Sequence, residues 1–198
     1  MDELKKNIID TASKMFLEYG LRSVSIDDIC NKMQISKKTF YTVFEQKEEL
    51  IETVLLFHRE NATKKCFDLM SGNNAIEALV ILVKEMRKHI NETPPALFFD
   101  LQKYYPALFK KIETEQREVM QHGITNNLNR GIEEGYYRKD LNVDLTTIFF
   151  SVQIPNAFRT LKDSKKYSKK QLFEFFIDLL LNLIVSEKGK QYLKEHYN

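Results

Sequence analysis

The chain has little of what most functional classes require. It holds two cysteines in 198 residues, Cys30 and Cys66. That is too few for a disulfide scaffold, and both lie in helix-period segments as reduced, partly buried thiols. Four histidines, His58, His89, His122 and His196, are far apart in sequence. No HExxH or paired-cysteine spacing occurs, so no metal and no cofactor is expected. Gly123, Gly131 and Gly135 make no phosphate-cradling loop, and no GxSxG nucleophile elbow is present. The chain therefore reads as no enzyme. No stretch reaches about eighteen unbroken apolar residues; the richest, 172–185, is cut by Glu174, Asp178 and Asn182. The opening MDELKKNIID carries acids before any apolar run, unlike a signal peptide. No membrane contact and a cytoplasmic location are the expectation. A formal net charge of only +2 gives overall charge no say in favour of nucleic acid.

What is present is helical. Hydrophobic residues make up 43% and charged residues 29%, the latter dispersed, which supports a packed core. Helix-period patterns fill nearly every window, β-style alternation is hard to find, and no repeat stands out, so an all-α chain is expected. The pattern predicts helices at 2–19, near 26–33, 37–44, 47–70, 75–90, 96–105, 107–134, 144–161 and 169–185, with a short tail helix after Glu187. Gly20 and Gly135 are placed as C-terminal caps, Thr93-Pro94-Pro95 and Pro106 as breaks, and 163–170, DSKKYSKK, as an exposed loop.

Residues 22–50 carry the most specific pattern. Ser25 is a good N-cap, with Asp28 three residues on as a weaker stand-in for the Glu of a capping box. Ile26, Ile29, Cys30 and Met33 give a buried face, and Gln34 and Ile35 make a turn. Ser36 caps a second short helix whose Phe40 and Phe44 point inward together. This is the layout of a helix-turn-helix, whose second helix enters the DNA major groove. The spacing leaves Lys37, Lys38, Thr39, Tyr41 and Thr42 outside the core stripe, and with Ser25, Ser36 and Lys47 they are the DNA-binding candidates. Lys can read guanine and the Thr39 methyl can touch a thymine methyl. Tyr41, Thr42 and Lys47 suit phosphate oxygens, and Ser25, at a helix start, could offer another phosphate its hydroxyl. Residues 1–50 hold eight Lys or Arg against nine acids, but residues 32–47 hold four Lys against one acid. Positive charge is thus focused where DNA would lie.

Residues 8–50 resemble the DNA-binding domain of the TetR (tetracycline repressor) family of bacterial regulators. The resemblance rests on the Ile8–Ala12–Phe16–Gly20 run, Ser25-Ile26-Asp27-Asp28-Ile29-Cys30, Ile35-Ser36, Thr39-Phe40-Tyr41, Phe44 and Lys47-Glu48-Glu49-Leu50. This sequence departs from the family in having Gln34 where Gly is usual at the turn, and Cys30 where Ala is common. The resemblance implies a helix-turn-helix DNA-binding domain at 1–50 and a larger helical effector-binding and dimerisation domain at 51–198. It implies a repressor of a palindromic, double-stranded operator, released by a small and mostly apolar ligand.

The larger half fits that expectation in two ways. In 169–185 apolar residues cover all but the Glu174, Asp178, Asn182 stripe, so burial is needed on more than one side. Residues 144–161 are similar. Two such helices per chain could form a two-fold four-helix interface, with Phe149, Phe158, Phe173, Phe176, Leu180 and Ile184 as candidates; a wholly intramolecular core is the alternative. For an effector the candidates are Met86, Phe98, Phe99, Tyr104, Tyr105, Phe109 and Met120, any of which could equally be core. Pro155 frees a carbonyl near Ser151, and Gln153 and Asn156 flank it in apolar company. A competing reading is a helical small-molecule-binding or protein-interaction module that has lost operator binding.

Overall fold

The structure is a computed structural model. It describes residues 3–89, 95–160 and 166–197. The side chains of Cys66, His89, Pro95, Ala96, Phe98, Phe158 and Arg159 lie outside the described set. Among the described residues the architecture is all-helical: α1 Glu3–Tyr19, α2 Ile26–Met33, α3 Lys37–Tyr41, α4 Lys47–Met70, α5 Ala75–His89, α6 Pro95–Tyr104, α7 Pro106–Glu133, α8 Val143–Thr160, α9 Lys169–Ile184 and α10 Glu187–Tyr197. One isolated antiparallel bridge joins Tyr137 and Val185. No helix among the described residues is long and apolar enough to cross a membrane.

The chain divides into two compact units. Unit 1 comprises Met1–Lys65 and Glu92–Ile112; unit 2 comprises Cys66–Asn91 and Glu113–Asn198. Unit 1 thus takes in, beyond residues 1–50, the first part of α4 together with α6 and the first turns of α7.

Unit 1 is built from local sequence signals. Ile8, Ile9, Ala12 and Phe16 repeat on one face of α1 and are buried. Gly20 ends that helix at φ +85, with its N–H on the Phe16 carbonyl at 3.0 Å. Phe40, Phe44, Leu50 and Ile51 close the same core, and Leu101 and Leu108 join it from α6 and α7. Each such side chain contributes roughly 1.5–3 kcal/mol by leaving water.

One element boundary differs from the sequence expectation by several residues. The reading helix stops at Tyr41 rather than 44, because the Thr42 hydroxyl donates to the Thr39 carbonyl at 2.6 Å. The Thr42 and Val43 N–H groups also bond three residues back, at 3.2 and 3.0 Å, which tightens the turn. Pro106 marks a break as expected, α6 ending at Tyr104, and it opens α7, where its missing N–H is one of the unsatisfied donors anyway. The expected loop at 163–170 falls partly outside the described residues.

In unit 2, Ala75, Ile76, Leu128, Tyr137, Ile184 and Val185 form a buried cluster. The Tyr137 ring lies against α7 at Gly131, where a Cβ would come within 2.0 Å of it. Its hydroxyl donates to Asn127 Oδ1 (2.9 Å) and to the Ala75 carbonyl (3.2 Å), and burial pushes the phenol up. Inside α8, Ser151 accepts from Gln121 and Thr147 meets Thr125, both at 3.0 Å, so buried hydroxyls are satisfied from α7. Arg87 clasps Glu174 with two bonds of 2.7 Å, tying α5 to α9.

Candidate nucleic-acid interface

The interface is assembled from caps and turns. Ser25 begins α2 with a full capping box. Its hydroxyl accepts from the Asp28 N–H at 3.1 Å, and the Asp28 carboxylate takes the Ser25 N–H at 2.8 Å and hydroxyl at 2.6 Å. These bonds hold the Asp28 carboxyl below its usual range. They also commit the Ser25 hydroxyl and place a carboxylate at that helix start. Gln34 then turns the chain in the left-handed conformation, φ 56 and ψ 38, with its N–H on the Asn31 and Cys30 carbonyls. The geometry usually given to glycine is therefore adopted here by glutamine. Burial pushes the neighbouring Cys30 thiol up.

Ser36 caps α3 by accepting from the Thr39 N–H at 3.0 Å. Phe40 and Phe44 anchor the helix underneath, 0% and 1% exposed. That fixed anchor turns the other face outward. Lys37 and Lys38 are exposed, and Tyr41 is half-exposed, edge-on to Phe40 at 5.6 Å. Lys37 meets the Asp27 carboxylate at 2.7 Å, which holds its ammonium above the usual range. The pair is exposed and contributes little to stability; it sets where the Lys37 ammonium rests. Thr39 is half-buried, with its hydroxyl on Ser36 at 2.9 Å. Thr42 is exposed, its hydroxyl spent on the Thr39 carbonyl. Lys47 is half-buried and donates to the Leu21 carbonyl. Burial pushes its ammonium down, against the pull of Asp100 and Asp28. One of its three donors is thus used within the fold. The freest groups on this face are Lys38 and Tyr41, with Lys37 beside them.

Residues 8–54 match the family described as bacterial regulatory proteins, tetR family. The chain is 24% identical over 206 residues to the HTH-type transcriptional repressor KstR2 of Mycolicibacterium smegmatis, covering 95% of this chain and 94% of that protein. Residues 8–54 carry the DNA-binding domain of the TetR family.

With that domain the chain is a DNA-binding transcriptional regulator. Solved structures agree with the fold. The ketosteroid transcriptional regulator KstR2 of Mycobacterium tuberculosis superposes with a TM-score of 0.57 at 25% identity, covering 94% of this chain and 97% of that one. A TetR-family regulator from Cytophaga hutchinsonii does so with a TM-score of 0.72 at 18% identity, with the same coverage of each chain.

The effector candidates fall in both units. In unit 1, Tyr105 and Phe109 pack on the core shared with the helix-turn-helix. Tyr104 accepts from Arg22, and Phe99 is exposed with the Lys103 ammonium 5.2 Å from its ring centre. In unit 2, Met120 is half-buried, while Met86, Gln153 and Asn156 are exposed. Phe98 lies outside the described side chains. A surface groove of about 510 Å³ in unit 2 is lined by other residues, among them Arg138, Asp140, Asn182, Ser186 and Lys190.

The six interface candidates also separate. Phe173 and Ile184 are buried in the unit's own core, at 3% and 1% exposed. Phe176 and Leu180 are half-buried, Phe149 is exposed, and Phe158 lies outside the described side chains. Sequence reasoning left out of these six the exposed Leu145 and Ile148 on α8, and Phe175, Leu179 and Leu183 on α9. Their three- and four-residue spacing is the signal that could have found them. It also missed Arg22, whose partners lie on α6.

Proposed function

We propose that the chain is a homodimeric repressor of a palindromic operator, working in the cytoplasm and released by a small, mostly apolar effector. The observation that carries this reading is the tip of α3. Lys37, Lys38 and Tyr41 stand outward on a helix anchored by two buried phenylalanines, and no core residue has to move for them to meet a groove. In this reading Lys37 and Lys38 meet base edges, whereas Tyr41, Thr42 and the remaining donors of Lys47 hold phosphates. Ser25 acts mainly as a cap, and Thr39 offers its methyl.

The functional division assigns residues 1–50 to DNA and 51–198 to effector and partner. Support for a dimer is the outward apolar face of α8 and α9, which matches an isologous pairing of two helices per chain. Such pairing would put two reading helices about 34 Å apart, one turn of DNA. Support for an apolar effector is the M. tuberculosis relative's description as a ketosteroid regulator. An effector acts only through unequal affinity for two states.

The test is a footprint on the DNA upstream of the chain's own gene. Two symmetric protected half-sites about one helical turn apart, or a multiple of it, are expected. Uniform, sequence-blind protection would overturn the operator reading and favour a module that has lost it.

A further inference from the structure

We propose that Asp100 and Tyr104 on α6 form a latch on the loop between α1 and α2, as positioning residues that set the aim of the reading element without touching DNA. The proposal rests on the DNA-reading role of unit 1.

Four observations converge on residues 20–22. Asp100 Oδ2 accepts the backbone N–H of Arg22 at 3.1 Å, across 78 residues of sequence. The Tyr104 hydroxyl accepts from Arg22 Nη1 at 2.6 Å, and the guanidinium sits 4.7 Å from the Tyr104 ring centre. Gly20 adopts φ +85, and a Cβ there would stand 2.9 Å from Asp100 Oδ2, so glycine gives the carboxylate its room. From the other side Lys47 holds the Leu21 carbonyl. Beneath these bonds Leu97 and Leu101 seat α6 on the core that carries Phe40 and Phe44.

Magnitude decides what the latch is for. Its polar bonds are exposed, and exposed bonds of this kind add little to stability. The apolar seat already holds α6 in place. What the polar bonds add is geometry, because residues 20–22 lead directly to Ser25, the cap that starts α2 and hence fixes α3. A start point held in advance leaves less ordering to be done when DNA binds. Asp100 is a poor phosphate contact by charge, so its influence on DNA runs through Arg22.

The test uses the full chain and fluorescence anisotropy on a duplex from upstream of its own gene, across a salt series. Wild type is compared with Asp100→Ala, Asp100→Asn and Tyr104→Phe. The alanine variant is expected to bind about tenfold more weakly and Tyr104→Phe about threefold. Asp100→Asn, whose amide oxygen still accepts the Arg22 N–H, loses about twofold. The slope of affinity against salt stays at the wild-type value, because no phosphate contact is removed. Wild-type affinity in both Asp100→Ala and Tyr104→Phe overturns the latch. A shallower salt slope in Tyr104→Phe overturns it as well, since Arg22 would then be a phosphate contact. Should Asp100→Ala not fold, Tyr104→Phe decides alone on the same two readouts. Failure of wild type to bind the duplex overturns the operator reading instead, which separates the two outcomes.

Discussion

Unit 1 and unit 2 bury their apolar side chains to different degrees of completion. Among the described residues of unit 1, fifteen buried ones form one cluster, and the exposed large apolar ones, Leu17, Tyr19, Tyr41 and Phe99, are spread over three helices. Scattered exposure of that kind is ordinary. Among the described residues unit 2 has a smaller cluster, and α8 and α9 carry Leu145, Ile148, Phe149, Phe175, Leu179 and Leu183 outward at helical spacing. Contiguous apolar surface of this sort marks an interaction site. The contrast separates the two units: unit 1 closes a core under its reading helix, whereas unit 2 leaves an apolar face that the proposed dimer would cover.

Breaking the unfinished side is expected to give the largest effect. Phe175→Glu combined with Leu179→Glu introduces four carboxylates into a two-fold interface. Light scattering at micromolar concentration should then report a monomer, and operator affinity should fall on the order of a hundredfold or more, because two linked half-sites become two separate ones. A variant that stays dimeric would move the interface elsewhere.

A smaller effect sharpens the other side. Gln34 carries left-handed strain in an otherwise unstrained turn. Gln34→Gly should stabilise unit 1 by roughly 0.5–1 kcal/mol, less the entropy that glycine adds to the unfolded chain. The midpoint of denaturant unfolding measures it, and a loss of stability would show that the Gln34 side chain is needed.

The smallest effect is in acid. The Asp28 carboxyl is held below its usual range in the folded chain, first by the Ser25 hydroxyl and then by the Ser25 N–H. A depressed folded value means the contribution is present above the unfolded value, about 4. It is lost as pH falls through the folded value. Asp28→Asn should therefore lower stability slightly at neutral pH and flatten the acid limb of the stability curve. An unchanged acid limb would mean that the capping box does not persist in solution.

The helix-turn-helix was legible because its determinants are local. Ser25, Asp28 and Ser36 act within three residues, and Phe40 and Phe44 share a face by spacing alone. The rest depends on distant chain. The meeting of α6 with residues 20–22 joins segments 78 residues apart, for which helical periodicity has no signal. Tyr104, Tyr105 and Phe109 look alike in sequence whether they line a pocket or pack on a core; only the fold shows them engaged in unit 1. The apolar excess of α9 was visible, but a helix apolar on most sides does not say which side its own domain covers. Phe173 and Ile184 face inward, Phe175 and Leu179 outward. Lys47 read as a free cation because nothing local shows the Leu21 carbonyl above it.

The central claim is that the α3 tip reads DNA. Its most direct test is the operator affinity of Lys37→Ala combined with Lys38→Ala, measured by anisotropy beside the thermal midpoint. The account predicts a fall of about a hundredfold toward non-specific affinity, a shallower salt slope, and an unchanged midpoint. Wild-type affinity and slope in a folded double variant would contradict it.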